Sequence, residues 1–413
     1  MGDLSSLELK GRPVGQTPTS DDLRNRLVDE ILQDVRLTAD VERAMRTVHR
    51  EAFLPGIDLE EAYVDQAVSI KDNPLGGPLP LSCASVPSVV GMMLSQLEVQ
   101  PGDDILEIGA GTGYNAALLA ELAGDNGHVT SIDIDSDVAL HARTMLDRAG
   151  YRHVHVMERD GLIGAPENAP YDRMLAAVGL WDVPAAWWGQ LGNGGRLVLP
   201  LRWRGQTRSV ALTRHGDTLV SEGMELCGFV PIIGQDGEKT TTLNTDGTIR
   251  VIHDEDQAVD PGALGNSLAT AGIEVMSGQR IGGEESFDGV WLRATATDDR
   301  VCRLQVMPDA LAQELLLRPA IPGRSPLLID RDSLAYLVVR REGVDPERPH
   351  RLGAAAYGPH AGELAQDLIG HIEAWGTART AVPRLSITPA KSAVAAGPGH
   401  VISKPESRLR LTY

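Results

Sequence analysis

Cysteine is scarce in this 413-residue chain: Cys83, Cys227 and Cys302 are its three, set far apart. That spacing excludes a disulfide framework and a zinc-ligand pattern, and it fits a reducing cytoplasm. Positive charge is also in deficit. The chain has 38 Lys and Arg against 57 Asp and Glu, a formal net charge of -19. Such a surface repels phosphate backbones and anionic lipid, so neither nucleic acid nor a membrane is an expected partner. No apolar run approaches the roughly 20 residues of a membrane span. The opening "MGDLSSLELKGRPVGQ" has no apolar core of a signal peptide, so a cytoplasmic location is expected. What is present, 42% hydrophobic and 23% charged residues, is ordinary for a globular chain of roughly two or three domains.

Residues 1–19 read as a loose polar arm. In "DDLRNRLVDEILQDV", Leu23, Leu27, Val28, Ile31, Leu32 and Val35 recur at helical spacing, and "ADVERAMRTV" repeats the pattern with Val41, Met45 and Val48. From residue 104 onward apolar runs alternate with helical segments. "DDILEIG", "HVTSIDI", "HVHVMERD", "YDRMLAAVG" and "GGRLVLPL" each read as a buried strand, the signature of a parallel, doubly wound sheet. "SVALTRHGDTLVSEGMELCGFVPI" reads as a hairpin that finishes the sheet antiparallel. Beyond residue 230 the chain turns Gly-, Asp- and Thr-rich, a domain boundary. After it, "GTIRVIHD", "GVWLRATA", "SLAYLVVRR" and "RLRLTY" look like strands, and "AGELAQDLIGHIEAWG" is an amphipathic helix with Leu364, Leu368, Ile372 and Trp375 on one face. The expected division is an N-terminal arm and helical subdomain (1–75), a cofactor-binding core (76–230) and a C-terminal α+β domain (231–413).

"LEIGAGTGYNAALLAEL" carries Gly109, Gly111 and Gly113 between a strand and a helix. Glycines there let the backbone approach a ligand beside free helix N–H groups. Tyr114 stands where a dinucleotide fingerprint wants its third glycine, which counts against NAD. Asp133 ends the next strand, where a carboxylate can bond both hydroxyls of a ribose, and Asp160 follows the third strand within reach of an adenine edge. Glu107 precedes the loop and can meet an ammonium group through water. This ordered set favours a cofactor with adenosine and an amino acid but no pyrophosphate, namely S-adenosyl-L-methionine, which leaves as S-adenosyl-L-homocysteine.

Upstream, Ser85-Val86-Pro87 and Pro101-Gly102-Asp103 flank a helical segment. Together with "REAFLPG", "EAYVDQAV", "YDRMLAAVG" and "VPAAWWGQLGNGGRLVLPL", they resemble the protein-L-isoaspartate O-methyltransferase family across roughly residues 20–220. The resemblance implies a Rossmann-like class I methyltransferase fold. It implies that the serine neighbourhood closes over the cofactor and holds the substrate carboxylate, which makes Ser85 the expected catalytic-site residue. Ser82, Ala110, Thr112, Ile134 and Gly161 complete the expected cofactor set with Ser85, Glu107, the three glycines, Asp133 and Asp160. The other reading of Ser85 is an N-cap for the helix, with Pro87 in its first turn. Where the family usually has Gln-Thr-Ile-Ser, this chain has Ser82-Cys83-Ala84-Ser85 after an inserted "KDNPLGGPLPL". The departure points away from the usual repair substrate.

The whole length, with "TRSVALTR", "CGFVPIIG" and "SCASVPSVVGMML", looks like the FxLD-system methyltransferases associated with lanthipeptides. That resemblance implies methylation of an ordinary aspartate in a cyclised, ribosomally made peptide. The methyl ester would close to a succinimide and open to isoaspartate; general isoaspartate repair is the alternative. An ionised carboxylate is already a nucleophile, so orientation can carry catalysis and no triad is required. RNA methylation and a silent peptide-binding role are further readings, and the acidity opposes the first.

Among the eleven histidines, His153 and His155 share one side of a strand but lack a third ligand, so no metal site is expected. "HDEDQAVD" at 253–260 lacks the glycine and glutamate of a calcium loop and reads as a solvated loop. Cys83 reads as a buried, inert thiol, and Trp187 and Trp188 as helix packing.

Overall fold

The structure is a computed structural model that describes residues 17–72, 80–343, 347–392 and 397–413. Most of the expected arm and of the inserted segment, residues 1–16 and 73–79, lies outside the described residues. The chain forms two compact units, Met1–Asp104 with Ala110–Glu158, and Ile105–Gly109 with Arg159–Tyr413.

In the first unit, helix α1 (Ser20–Asp34) starts at a capping box. Thr19 accepts the Asp22 N–H, and Asp22 accepts the Thr19 N–H at 2.9 Å. Its stripe of Leu23, Leu27, Val28 and Ile31 is buried, whereas Leu32, expected on that stripe, is exposed. α2 (Ala39–Thr47) is capped by Thr38 and buries Val41 and Met45. A 3-10 turn (Arg50–Phe53) and α3 (Leu59–Ala62) lead to an antiparallel pair, β1 (Val68–Lys71) with β2 (Ser82–Ala84). α4 (Pro87–Leu97) follows, with Pro87 in its first turn. Next comes β3 (Asp104–Ile108), whose residues from Ile105 on belong to the second unit.

Back in the first unit, α5 (Tyr114–Ala123) buries residues on every side, as a core helix does. Its N-cap, Gly113, has φ +86°, and a Cβ there would lie 3.1 Å from the Ala142 carbonyl, so glycine is required twice over. β4 (His128–Asp133) runs parallel to β5 (His155–Glu158), with α6 (Ser136–Ala149) as their crossover. Asp135 caps α6 by accepting the Asp137 N–H at 3.0 Å.

In the second unit, β6 (Tyr171–Ala176) lies between β3 and β7 (Leu191–Trp203), parallel to both. β8 (Gln206–His215) and β9 (Thr218–Leu226) continue antiparallel, as the hairpin pattern predicted. Then come β10 (Glu238–Thr242), β11 (Ile249–Asp254), α7 (Pro261–Leu268), β12 (Ile273–Ile281), α8 (Asp288–Thr295) and β13 (Val301–Val306). α9 (Pro308–Ala312), β14 (Ser325–Asp330), β15 (Ser333–Arg341), β16 (His350–Tyr357) and α10 (Ala361–Gly376) follow, and β17 (Arg384–Pro389), β18 (His400–Ser403) and β19 (Ser407–Thr412) end the chain. Among the described residues, the antiparallel sheet runs β10-β11-β13-β14-β15-β16-β12. α10 buries Leu364, Leu368, Ile372 and Trp375 in the core of that sheet; each such aliphatic side chain contributes about 1.5–3 kcal/mol relative to exposure.

Three expectations need correction. "GVWLRATA" is not a strand but α8: Val290, Trp291 and Ala294 fall on one helical face and join the α10 core, and a run this short carries no decisive period. The C-terminal strands do not belong to the antiparallel sheet. β17 pairs with β9, and the order β18-β19-β17-β9-β8-β7-β6-β3 returns the end of the chain to the sheet containing the cofactor strand. The acidic segment 253–260 is not simply solvated, because Asp254 is fully buried and Asp260 caps α7.

Candidate active site

The glycine loop is where the chain passes covalently from the second unit to the first, between Gly109 and Ala110. On the first unit's side, Ala110 donates its N–H to the Ile132 carbonyl at 3.1 Å, which ties the loop to the end of β4. Gly111 has φ +52°, and a Cβ there would meet nothing nearer than the Cys83 carbonyl at 3.7 Å. Its N–H donates to Asp133 Oδ2 at 3.2 Å, and Asp133 Oδ1 accepts the Asp135 N–H at 3.1 Å. Burial nevertheless raises the Asp133 carboxyl above its ordinary value, against these backbone bonds. Each oxygen keeps acceptor capacity for a ligand. Lys71 holds the neighbourhood by pairing with Asp135 at 2.6 Å and Asp137 at 3.1 Å. Ile134, beside Asp133, is 43% exposed, unusual for isoleucine. Thr112 is buried, and its hydroxyl accepts the Tyr114 N–H at 3.2 Å.

Ser82 and Ser85 are half-buried on and after β2. The cap reading of Ser85 is overturned. Val86 is the N-cap residue and gives no side-chain bond, and the Ser88 N–H at the start of α4 donates instead to Asp65 Oδ1 at 2.8 Å. A carboxylate brought in from outside the helix has taken the position, leaving the Ser85 hydroxyl out of the capping arrangement. The half-buried Cys83 thiol is pushed up by burial, which suits an inert thiol.

Sequence reasoning missed Arg50. The guanidinium is 1% exposed; Nε donates to the Ala62 carbonyl at 3.0 Å and Nη2 to the Ser85 carbonyl at 3.1 Å. Nη1 is buried without a hydrogen-bond partner, and burial lowers the pKa. The group lies 5.2 Å from the Tyr114 ring centroid, a cation–π distance, and Phe53 meets Tyr114 edge-on at 5.8 Å. Tyr114 therefore takes the fingerprint glycine's position because its ring fills the space beside Arg50 and Phe53. The available signal was "HREAFLPG", where an arginine stands beside a phenylalanine that the core requires.

On the second unit's side, Glu107 is fully buried on β3, in register with Leu175 of β6. Gly109 has φ +96°, and a Cβ there would lie 3.1 Å from Val178 Cγ1. Asp160 Oδ1 accepts the Leu162 N–H at 2.9 Å, an Asx turn that shapes the loop after β5. A Cβ on Gly161 would be 2.6 Å from Ile108 Cγ2, and the Gly161 carbonyl accepts the Trp187 indole N–H at 2.9 Å. Trp187 is buried packing that also holds the Gly161 loop, while Trp188 is half-buried. Gln190 supports the same loop by accepting the Ala165 N–H at 2.8 Å.

The family model described as protein-L-isoaspartate(D-aspartate) O-methyltransferase matches residues 23–237. The chain belongs to this family. It is 36% identical over 238 residues to the protein-L-isoaspartate O-methyltransferase of Hyperthermus butylicus, an alignment covering 53% of this chain and 94% of that one. The Methanothrix thermoacetophila protein of the same name is 36% identical over 219 residues, 52% of this chain and 97% of its own. A solved structure titled protein-L-isoaspartate O-methyltransferase overlaps 88% of this chain and 96% of its own, at 20% identity and a TM-score of 0.47. This family member is an S-adenosyl-L-methionine-dependent protein carboxyl O-methyltransferase with a class I α/β fold, extended by further C-terminal strands. No described helix is long and apolar enough to cross a membrane.

Proposed function

We propose that this methyltransferase esterifies the free carboxylate of an L-isoaspartyl residue in a peptide or protein. The observation that supports this reading most is the match of residues 23–237 to one carboxyl-methylating family, with Asp133 held at the glycine loop. The residues present fit the cofactor. The half-buried Asp133 carboxylate suits a ribose diol, Ile134 offers exposed apolar surface beside it for an adenine, and the open space at Gly111 is what a Cβ would encroach upon. Asp160 and Gly161 would meet the adenine edge, Glu107 and Ser82 the amino-acid end, and Gly109, Ala110, Thr112 and Gly113 would form the backbone cradle. Bound S-adenosyl-L-methionine supplies an electrophilic methyl group.

The protein's part is to bind and orient. Ser85 would hold the acceptor carboxylate in line, and the buried Arg50 charge, bonded to the Ser85 carbonyl, would fix that segment and add positive potential for an anion. No residue need remove a proton, because the acceptor carboxylate is ionised at neutral pH. Esterification makes the carboxyl a good acyl donor, so the following backbone nitrogen displaces methanol and closes a succinimide, which water opens.

A second acceptor, an ordinary aspartate in a cyclised ribosomally made peptide, is favoured by Ser82-Cys83-Ala84 in place of the family's usual residues and by the long extension past residue 237. Under either reading the site takes S-adenosyl-L-methionine and a peptide. In our reading residues 1–75 contribute Arg50, 76–230 the cofactor cradle, and 231–413 substrate recognition. Mass spectrometry of the full chain with cofactor and paired aspartyl and isoaspartyl peptides separates the two. Repair predicts a gain of one methylene, then loss of methanol, on the isoaspartyl form; the second reading predicts both on a cyclised aspartyl peptide.

A further inference from the structure

The loop after β6, residues 177–183, starts against the glycine turn. Ala177 donates its N–H to the Ile108 carbonyl at 2.8 Å, and Val178 is the side chain that crowds Gly109. Residues 229–235 run beside it. The Gly179 N–H bonds the Val230 carbonyl at 2.7 Å, the Ile232 N–H bonds the Gly179 carbonyl at 2.9 Å, and Ile232 comes within 3.3 Å of a Cβ placed on Gly161. Both segments thus adjoin glycines proposed to receive the cofactor.

What fixes this loop lies at the end of the family-matched region and in the extension. Trp181 donates its indole N–H to the fully buried Asp254 at 2.9 Å, and the Gly237 backbone is so close that a Cβ there would lie 2.0 Å from its ring. The backbone N–H groups of Trp181 and Asp182 both donate to Gln235 Oε1, at 2.8 and 3.1 Å. Lys404, in the turn between β18 and β19, donates to the Trp181 carbonyl and to the Arg202 carbonyl, the latter at 2.7 Å. Its ammonium is 4.6 Å from the Trp181 ring centroid. Asp182 accepts the Glu406 N–H at 2.7 Å and the Ser407 hydroxyl, and the Ala185 N–H donates to Glu406 Oε2 at 2.7 Å. Burying an ammonium is costly, and an apolar side chain would fill the space without that cost. Two carbonyl bonds and an indole face at once define the course of the loop in a way that packing alone does not.

We propose that the turn Lys404–Ser407 is a positioning element for methyl transfer: it holds loop 177–183, through Trp181 and Asp182, beside Gly109 of the glycine turn, so the extension sets the course of the loop at the cofactor cradle. The inference rests on the carboxyl-methyltransferase reading above. Lys404 is a positioning residue and touches neither substrate nor cofactor.

The test uses the full chain, a synthetic hexapeptide with one L-isoaspartyl residue, and two variants. Lys404→Met should weaken the calorimetric Kd for S-adenosyl-L-methionine by about tenfold or more and lower kcat/KM for the peptide with it, because the loop it holds adjoins Gly109. Gln235→Ala removes three ties, the two N–H bonds to Oε1 and the one Nε2 donates to the Asp182 carbonyl at 2.9 Å, without touching a buried charge. It should move the same parameters the same way by a smaller factor and speed hydrogen exchange at the amides of 181 and 182. Should Lys404→Met fail to fold, Gln235→Ala decides. Unchanged cofactor affinity together with unchanged peptide kinetics in a folded variant would overturn the proposal. If the wild type methylates no isoaspartyl peptide, the functional reading fails instead, and unchanged exchange at 181 and 182 in Gln235→Ala would then refute the tie independently.

Discussion

Two buried arginines of the family-matched region, one facing its own region and one facing the extension, are treated in opposite ways. Arg50 gives two of its nitrogens to carbonyl oxygens and leaves Nη1 buried without a partner, beside Ser85 and Tyr114. Arg204, 2% exposed, also leaves one nitrogen, Nε, without a hydrogen-bond partner, but it faces three carboxylates: Asp254 at 3.5 Å, Asp256 at 2.6 Å and Asp299 at 2.9 Å. A buried charge with its counter-ions in place is scaffold, whereas one held by carbonyls alone keeps its potential for something that arrives later. The extension follows the scaffold pattern elsewhere. In Asp298, burial opposes ionisation, yet hydrogen bonds from His371 and Arg300 outweigh it and hold the carboxyl below its usual range.

The largest effect that would sharpen this contrast is on stability. Arg204→Met strands the fully buried Asp254 and should cost about 3–5 kcal/mol in denaturant unfolding. Arg50→Met removes a charge that no carboxylate hydrogen-bonds, the nearby Asp65 being exposed, and should cost less than Arg204→Met while lowering turnover; equal losses of stability from both would erase the distinction. Next comes Asp133→Ala. It removes the acceptor proposed for the ribose and should weaken cofactor binding by about 1.5–3 kcal/mol, roughly 10- to 100-fold, in calorimetry. Ser85→Ala should lower turnover by roughly tenfold, about one lost hydrogen bond in the transition state, with cofactor affinity near normal; unchanged turnover would remove Ser85 from the site.

A separate effect is a pH dependence. Burial pushes the Lys404 pKa down to about 8 from the ordinary 10.5, against the attraction of Asp254 and Asp182 and alongside the repulsion of Arg202 and Arg204. Between those two values the folded chain has released a proton that the unfolded chain still holds. Unfolding there takes up a proton, so this group makes stability rise with pH across the window. Lys404→Met should therefore flatten the pH dependence of unfolding from about pH 8 to pH 10, and an identical slope in both proteins would contradict it.

Much of the fold was legible because its signals are local. The strands β3 to β7 announce themselves as apolar runs between turn residues, and α10 shows its buried stripe at helical spacing. The glycines and Asp133 were legible for the same reason, since a βα turn and the next strand end stand in fixed register. Arg50, Asp65 and Lys404 were not. Arg50 reaches Ser85 across 35 positions, Asp65 caps α4 across 23, and Lys404 meets Trp181 across 223. Contacts at such separation leave no periodicity to read. α8 was misread because a short segment built on the apolar run Val290-Trp291-Leu292 satisfies a buried strand and a buried helical turn equally. The return of β17 to β9 was invisible because sheet membership depends on pairing partners, not on the strand's own pattern.

The central claim is that this chain transfers a methyl group to the free carboxylate of an isoaspartyl residue. The most direct measurement gives the full chain S-adenosyl-L-methionine labelled in the methyl group and one peptide sequence in two forms, aspartyl and isoaspartyl. The account predicts base-labile label on the isoaspartyl peptide and far less on its linear aspartyl twin. Equal labelling of both, or label on neither, would contradict it.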